Sequence, residues 1–136
     1  MSTPDPNGAN PFDTPERHEL RRTVRRFVER EILDHLGDWE RDGELPRSLH
    51  RLAGDLGLIG LGFPDRVGGG GGDIVDVVTM VEEMHYAGVS GGLIASLFTA
   101  GISAPHIAKA GDPDQVDRWV RPTLAGTAIG SLAITE

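Results

Sequence analysis

Few stretches of this 136-residue sequence carry residue types that do chemistry, and the first is a run of five glycines, Gly68 to Gly72. Glycine-rich loops cradle phosphates by offering backbone N–H groups to an anion. The spacing here completes neither phosphate-loop pattern. The sixth position from Gly68 is Asp73, which rules out G-x-G-x-x-G, and the single lysine, Lys109, follows Ala108, so no G-x-x-x-x-G-K-S/T exists. Asp73 at the start of the next helix also repels a phosphate there. The run reads instead as a tight connection that needs positive φ and close backbone approach.

The other reactive side chains are scattered. The histidines, His18, His35, His50, His85 and His106, form no H-E-x-x-H or H-x-x-x-H pair and lie near no acidic cluster with ligand spacing. Each reads as a surface or partly buried structural residue. Glu82 and Glu83 are adjacent, and adjacent residues on a helix diverge by about 100°, so they do not share one substrate as an acid–base pair. No serine sits in G-x-S-x-G. With no cysteine there is no disulfide framework, thiolate metal site or cysteine nucleophile. Residue chemistry alone gives no self-contained active site and no metal centre.

The elements that would position these groups are mainly helices. The first begins near Asp13-Thr14-Pro15-Glu16, where Asp or Thr caps, Pro fits the first turn and Glu favours the positive end of the dipole. Leu20, Val24, Phe27 and Ile32 make its apolar stripe, and Gly37 is the expected stop. Its other face carries Arg21, Arg22, Arg25, Arg26 and Arg30 among Glu19 and Glu29. That cluster fits either a phosphate or a solvated face with ion pairs. A second helix starts around Pro46, with Leu49, Leu52 and Leu56 inward and Gly57 as a left-handed cap. Asp73 caps a third, with Ile74, Val77, Val78, Val81 and Met84 inward and Asp76, Glu82 and Glu83 on the opposite side.

Tyr86 to Pro105 is uncharged over 20 residues, long enough to span a bilayer. Its glycines, serines and Pro105 favour a helix buried on several sides in a soluble protein, with no membrane span. Asp112-Pro113-Asp114-Gln115 is a capping box for a fifth helix, with Val116, Trp119, Val120 and Leu124 inward, Pro122 tightening its end and Gly126 closing it. Residues 127 to 135 read as a strand. Apart from possible extended backbone near Leu58–Phe63, this lone strand has no ladder partner in the chain, so the sequence suggests a polypeptide that ends where a sheet domain begins.

Charge and composition set the class. The formal net charge is −8 and 38% of residues are hydrophobic, with Gly at 19. Such a balance supports a core and excludes general disorder. The acidic excess argues against a nucleic-acid module, which needs a basic footprint. The N-terminal MSTPDPNGANPFDTPE holds neither an apolar secretion run nor a transit-type arginine pattern, so it reads as a flexible tail on a cytoplasmic protein.

Taken in order, the motifs GLIGLGFPDRVGGGGGD, VEEMHYAG and AGDPDQVDRWVRPTLAGTAIGSLAITE resemble the N-terminal region of acyl-CoA dehydrogenases. The matching positions are Phe63-Pro64 through Gly68-Gly69, Glu82-Glu83, Ala110-Gly111, Gln115, Pro122, Leu124-Ala125-Gly126 and Thr135-Glu136, with Trp39 to Glu44 most similar to the long-chain branch. The resemblance covers residues 14 to 136.

It implies an all-α, acyl-CoA dehydrogenase N-terminal-like domain over 13–126, a flexible tail over 1–12, and the first strand of a following β-domain over 127–136. It also implies FAD, an acyl-CoA thioester substrate, a homo-oligomer when complete and electron-transfer flavoprotein as electron partner. Family chemistry removes an α proton with a carboxylate and sends the β hydride to the flavin. The resemblance places that carboxylate beyond Glu136, so no catalytic residue is assigned in this chain. Leu132, Ala133, Ile134 and Thr135 match the strand beside the flavin, where amides and the Thr hydroxyl meet the ring edge. Leu93, Leu97 and Gly101, at i, i+4 and i+8, match the wall of the acyl pocket on one helix face. Gly101 would leave depth there for a longer chain. Alternatives are an acyl-CoA oxidase or flavin-dependent monooxygenase of the same fold, or a helical interaction module without flavin.

Overall fold

The computed structural model describes residues 11–135. The expected N-terminal tail lies outside the described residues except for Pro11 and Phe12, and Glu136 lies outside them as well. The rest is helical: α1 Pro15–Glu31, α2 Leu36–Asp42, α3 Arg47–Asp55, α4 Ile74–Tyr86, α5 Gly91–Phe98, α6 Ala100–Ala110, and a last rod made of α7 Pro113–Gln115, a wide π turn Val116–Val120 and α8 Arg121–Leu124.

The chain builds α1 from its cap. Arg17 N–H donates to Thr14 Oγ1 at 3.3 Å, and Pro15 occupies the first turn. Val24, Phe27, Val28 and Ile32 are buried. The helix does not run on to Gly37. Ile32 anchors the chain in the core while Leu33, Asp34 and His35 face solvent, so the backbone turns there and a separate α2 follows. Gly37 lies inside α2, and the stop is Gly43, left-handed at φ +70°.

After α3, the glycine-rich connection folds on itself. Gly62 N–H donates to the Gly71 carbonyl at 2.7 Å and Gly71 N–H to that of Phe63 at 2.9 Å, around a single parallel bridge between Leu61 and Gly71. A Cβ on Gly69 would lie 2.1 Å from the Phe63 carbonyl oxygen, so only glycine permits this approach. The expectation of a tight connection holds.

A capping box opens α4. Asp73 Oδ1 accepts from the Val75 and Asp76 amides at 2.8 and 3.1 Å, and Asp73 N–H donates to Asp76 Oδ2 at 2.8 Å. The buried face of α4 is Thr79, Met80, Glu83 and Met84. This corrects the apolar stripe read from the sequence, since Ile74 is 73% exposed and Glu83 only 2%. The cause is α1, whose arginines supply partners for the carboxylates on that face.

The structure also corrects the enclosure expected for the apolar run. Among the described residues one helical span, Gly91–Ala110, is long and apolar enough to cross a membrane, but only 28% of its most apolar stretch is buried. Leu93, Ile94, Leu97, Ala100, Ala104 and Ala108 line one covered side. Alanine raises mean hydropathy without requiring burial, and the glycines add no charge, so composition overstated how many sides need covering.

The last rod has the expected capping box, with Gln115 N–H donating to Asp112 Oδ1 at 2.8 Å and Asp112 N–H to Gln115 Oε1 at 3.0 Å. In the π turn Arg121 N–H reaches back to Val116, one residue farther than in an α-helix, just before Pro122. The wider turn favours spacing of four over three. Val116, Val120 and Leu124 therefore point inward, whereas Trp119, expected among them, is 51% exposed under the Arg118 guanidinium. Arg66 ties the rod to its neighbours. Its Nη1 donates to the Ala108 carbonyl at 3.1 Å, and its own carbonyl accepts from Arg121 Nη2 at 2.7 Å.

Residues 127–135 form no strand ladder, because no second strand among the described residues offers them one. The segment leaves the α8 turn with the Thr127 and Ala128 amides donating to the Pro122 carbonyl at 2.9 and 3.0 Å, then runs over α6, where a Cβ on Gly130 would stand 3.4 Å from Ala100 Cβ.

Candidate functional site

The arginine face of α1 meets the acids of α4 in a charged seam. Arg17 Nε donates to Asp76 Oδ1 at 2.8 Å and its Nη2 to Asp73 at 3.1 Å; Arg21 Nη2 donates to Glu82 at 3.0 Å and its Nη1 to Glu83 at 3.4 Å. Arg25 Nε donates to Glu83 Oε1 at 2.6 Å. The ion-pair reading of this cluster is therefore the one the structure supports: Arg21 and Arg25 pair across to α4, whereas Arg22 and Arg26 pair with Glu19 along α1. Donating hydrogen bonds to the α4 carboxylates holds Arg17 and Arg21 protonated to still higher pH than usual. Arg17, Arg21 and Arg25 are paired with acids of α4, which removes this seam from the candidates for anion binding.

Hydrogen bonds from the α4 amides, and then Arg17, hold the Asp73 carboxyl below its ordinary range. A carboxylate lowered on folding stabilises above its unfolded pKa, near 4, and loses that contribution as the pH falls through the lower folded value. Asp73→Asn keeps a capping oxygen but removes the charge. The variant should have a lower denaturation midpoint than the parent at pH 7, with the gap closing as both are titrated below the ordinary carboxylate pKa. A gap independent of pH would leave the charge without a role.

Of the expected acyl-wall residues, the structure brings Leu93 and Leu97 together in the core and leaves Gly101 exposed, with open space where a Cβ would stand. Eight helical steps overshoot two full turns by about 80°, so i+8 does not share the face of i. Leu93 also borders a groove of about 440 Å³ between α5 and the α2–α3 turn, whose other walls include Trp39, Glu44, Leu45 and Ser96. Sequence reasoning missed this groove. Its signal was the Gly43 stop, which turns Glu44 and Leu45 back towards Gly92.

Leu132 to Thr135 are all exposed, Ile134 at 81%. Among the described residues, the amides and carbonyls of 131–135 have no hydrogen-bond partner, and the segment carries no charge. Unpaired amides and a free Thr135 hydroxyl are the donors that a flavin ring edge needs, so these residues fit the role the resemblance gave them. Among the described residues no group of three or more His, Asp or Glu stands close enough to hold a metal ion.

Comparison with known proteins places this helical arrangement. The profile of the acyl-CoA dehydrogenase N-terminal domain matches residues 14–127. The chain belongs to the acyl-CoA dehydrogenase family. The long-chain specific acyl-CoA dehydrogenase of Sus scrofa mitochondria is 34% identical over 120 residues, covering 88% of this chain and 27% of that protein. Crystal structures assigned as acyl-CoA dehydrogenases of Mycobacterium smegmatis and Mycobacterium abscessus superpose with TM-scores of 0.90 and 0.89 at 57% and 51% identity. They cover 93% and 92% of this chain and 33% of each of those chains. The chain thus spans about a third or less of the relatives it matches. The all-α, N-terminal-like fold expected from the motifs is the one found, and the long-chain likeness of Trp39 to Glu44 accords with the Sus scrofa relative.

Proposed function

We propose that this chain is the N-terminal helical part of an FAD-dependent acyl-CoA dehydrogenase that forms an α,β double bond in acyl-CoA thioesters. The observation that carries this reading is the match over residues 14–127, whose relatives bear that name. When bound, FAD supplies the hydride acceptor. The chain's own residues bind and orient. Leu132 to Thr135 present amides and a hydroxyl to the flavin edge, and the exposed side of α6 at Gly101 forms one side of the acyl channel, with Leu93 and Leu97 of α5 packed into the core rather than on that surface. The proton-abstracting carboxylate belongs to a part of the protein other than these 136 residues. Electron-transfer flavoprotein as acceptor, a homo-oligomer and a cytoplasmic location complete the proposal, and α5–α6 is read as a helix of a soluble domain because its apolar side packs on the core.

Two measurements test it. The 136-residue chain purified alone should hold negligible FAD, whereas the same chain joined to a β-domain and C-terminal domain of the family should hold it stoichiometrically and reduce it with acyl-CoA. Stoichiometric flavin on the short chain, or none on the long one, would overturn the reading. In the complete enzyme, Gly101→Leu should lower kcat/KM for long acyl chains roughly tenfold relative to short ones, the effect of about 1.4 kcal/mol in a hydrophobic pocket. Unchanged chain-length preference would remove Gly101 from the channel.

A further inference from the structure

Among the described residues His50 is the buried titratable side chain that none of the above uses, 95% buried. It sits on α3, where its Nδ1 stands 3.4 Å from the Pro46 carbonyl oxygen one turn back. With Nδ1–H donating there, Nε2 carries the lone pair, and among the described residues it has no partner. His50 lines a cavity of about 10 Å³ roofed by Ala128, Ile129 and Gly130. Ser96 of α5 and Thr123 of α8 are its other polar side chains, and Ile59, Leu97 and Ala100 complete its walls. Thr123 Oγ1 already donates to the Trp119 carbonyl at 2.7 Å, which leaves its lone pairs free to accept. The Ile129 and Gly130 amides donate to nothing within the described chain.

A polar cavity of roughly 10–15 Å³ holds one water when two to four partners converge on it. A water held there would take Nε2 and Thr123 Oγ1 as acceptors and an amide of the roof as donor, with Ser96 Oγ able to do either. The backbone fixes the surroundings. A Cβ on Gly126 would lie 1.9 Å from the His50 carbonyl oxygen, so the turn from which the roof segment departs is pressed against the same residue.

We propose that His50 is a positioning residue. Through one ordered water it seats residues 128–130 on α3, α5 and α8, and so sets where 132–135 leave the helical domain. The consequence for flavin rests on the function proposed above; the seat itself does not.

The seat is read on the 136-residue chain without any cofactor. In the parent protein, a long-lived water should give nuclear Overhauser effects to the His50 ring and to the Ile129 or Gly130 amide. No such water overturns the proposal, whatever any variant does. His50→Phe fills the ring volume without an acceptor and should speed amide exchange at whichever of Ile129 and Gly130 shows the water contact at least tenfold, leaving α1 and α4 unchanged. His50→Gln, which keeps an acceptor, should restore slow exchange. Unchanged exchange in His50→Phe, or equal acceleration throughout the helices, overturns it. In the complete enzyme, His50→Phe should raise the FAD dissociation constant about tenfold and His50→Gln should not. A complete wild-type protein that holds no flavin would sink the proposed function while leaving the seat intact. Equal retention by wild type and His50→Phe would sink the link between seat and flavin.

Discussion

Replacing Arg21 and Arg25 together by methionine should destabilise the protein by about 3–5 kcal/mol, because it leaves a buried carboxylate without a cation. The Glu83 side chain is 3% exposed, with Arg25 Nε at 2.6 Å and Arg21 Nη1 at 3.4 Å. Methionine keeps an apolar stem of similar length, so the change isolates the charge from the packing of the arginine stems. Either single variant leaves one guanidinium on Glu83 and should cost less than half as much. The pairing is asymmetric, since the arginines are partly solvated and the glutamate is not. Glu83→Leu should therefore be nearly neutral by itself, and added to the double variant it should recover most of the lost stability, with leucine lying on the face shared by Met80 and Met84. Glu82→Ala, which removes only the half-exposed partner of Arg21, should cost about 0.5 kcal/mol. Urea midpoints at neutral pH decide it; a double variant as stable as the parent would show that Glu83 is hydrated rather than paired.

That seam also marks the limit of reading the fold from the sequence. Caps were legible because each is local chemistry: Thr14 before Pro15, Asp73 before its helix, and Asp112 with Gln115 all act within three residues. The inward face of α4 was not. Periodicity of apolar residues pointed to Ile74 and Val78, and both are exposed. Burial of Glu83 depends on arginines about 60 positions away, and hydropathy counts a paired carboxylate as a surface residue. A signal existed in the four-residue repeat of Arg17, Arg21 and Arg25 facing Asp76 and Glu83, which are spaced by seven. The end of α1 failed for a related reason. Gly37 has a local reason to stop a helix, but the buried Ile32 turns the chain first.

The candidate site was legible in a different way. Leu93, Leu97, Gly101 and Leu132 to Thr135 carry almost no reactive groups, so their chemistry offers nothing to read. Their roles came from the order of motifs around them, and the family match supports that order. The shared face was read from spacing instead, and i+8 drifts about 80° from i while α5 ends at Phe98, so Gly101, expected on the face of Leu93, is exposed.

Gly126→Ala should be the most damaging single methyl in the chain, costing about 3–5 kcal/mol from two sources that add. At φ +68° an alanine is in the left-handed region, worth about 1–2 kcal/mol. Its Cβ would also stand 1.9 Å from the His50 carbonyl oxygen and 2.9 Å from Arg51 Cα. These are backbone atoms of α3, which cannot rotate aside, so α3 and the α8 turn must separate. Two controls divide the terms. Gly43→Ala has the same strain at φ +70° but open space around it, and should cost only the left-handed part. Gly54→Ala has no positive φ, but its Cβ would fall 2.4 Å from the Ala125 carbonyl carbon, so it reports the crowding alone. Because Gly54 and Gly126 guard the same crossing from opposite sides, the double variant should cost clearly less than the two losses added together. Once the first methyl has parted α3 from the turn, the second enters space already opened. Additive losses would mean that the two glycines relax independently, and the close crossing would then not be the reason that either is glycine.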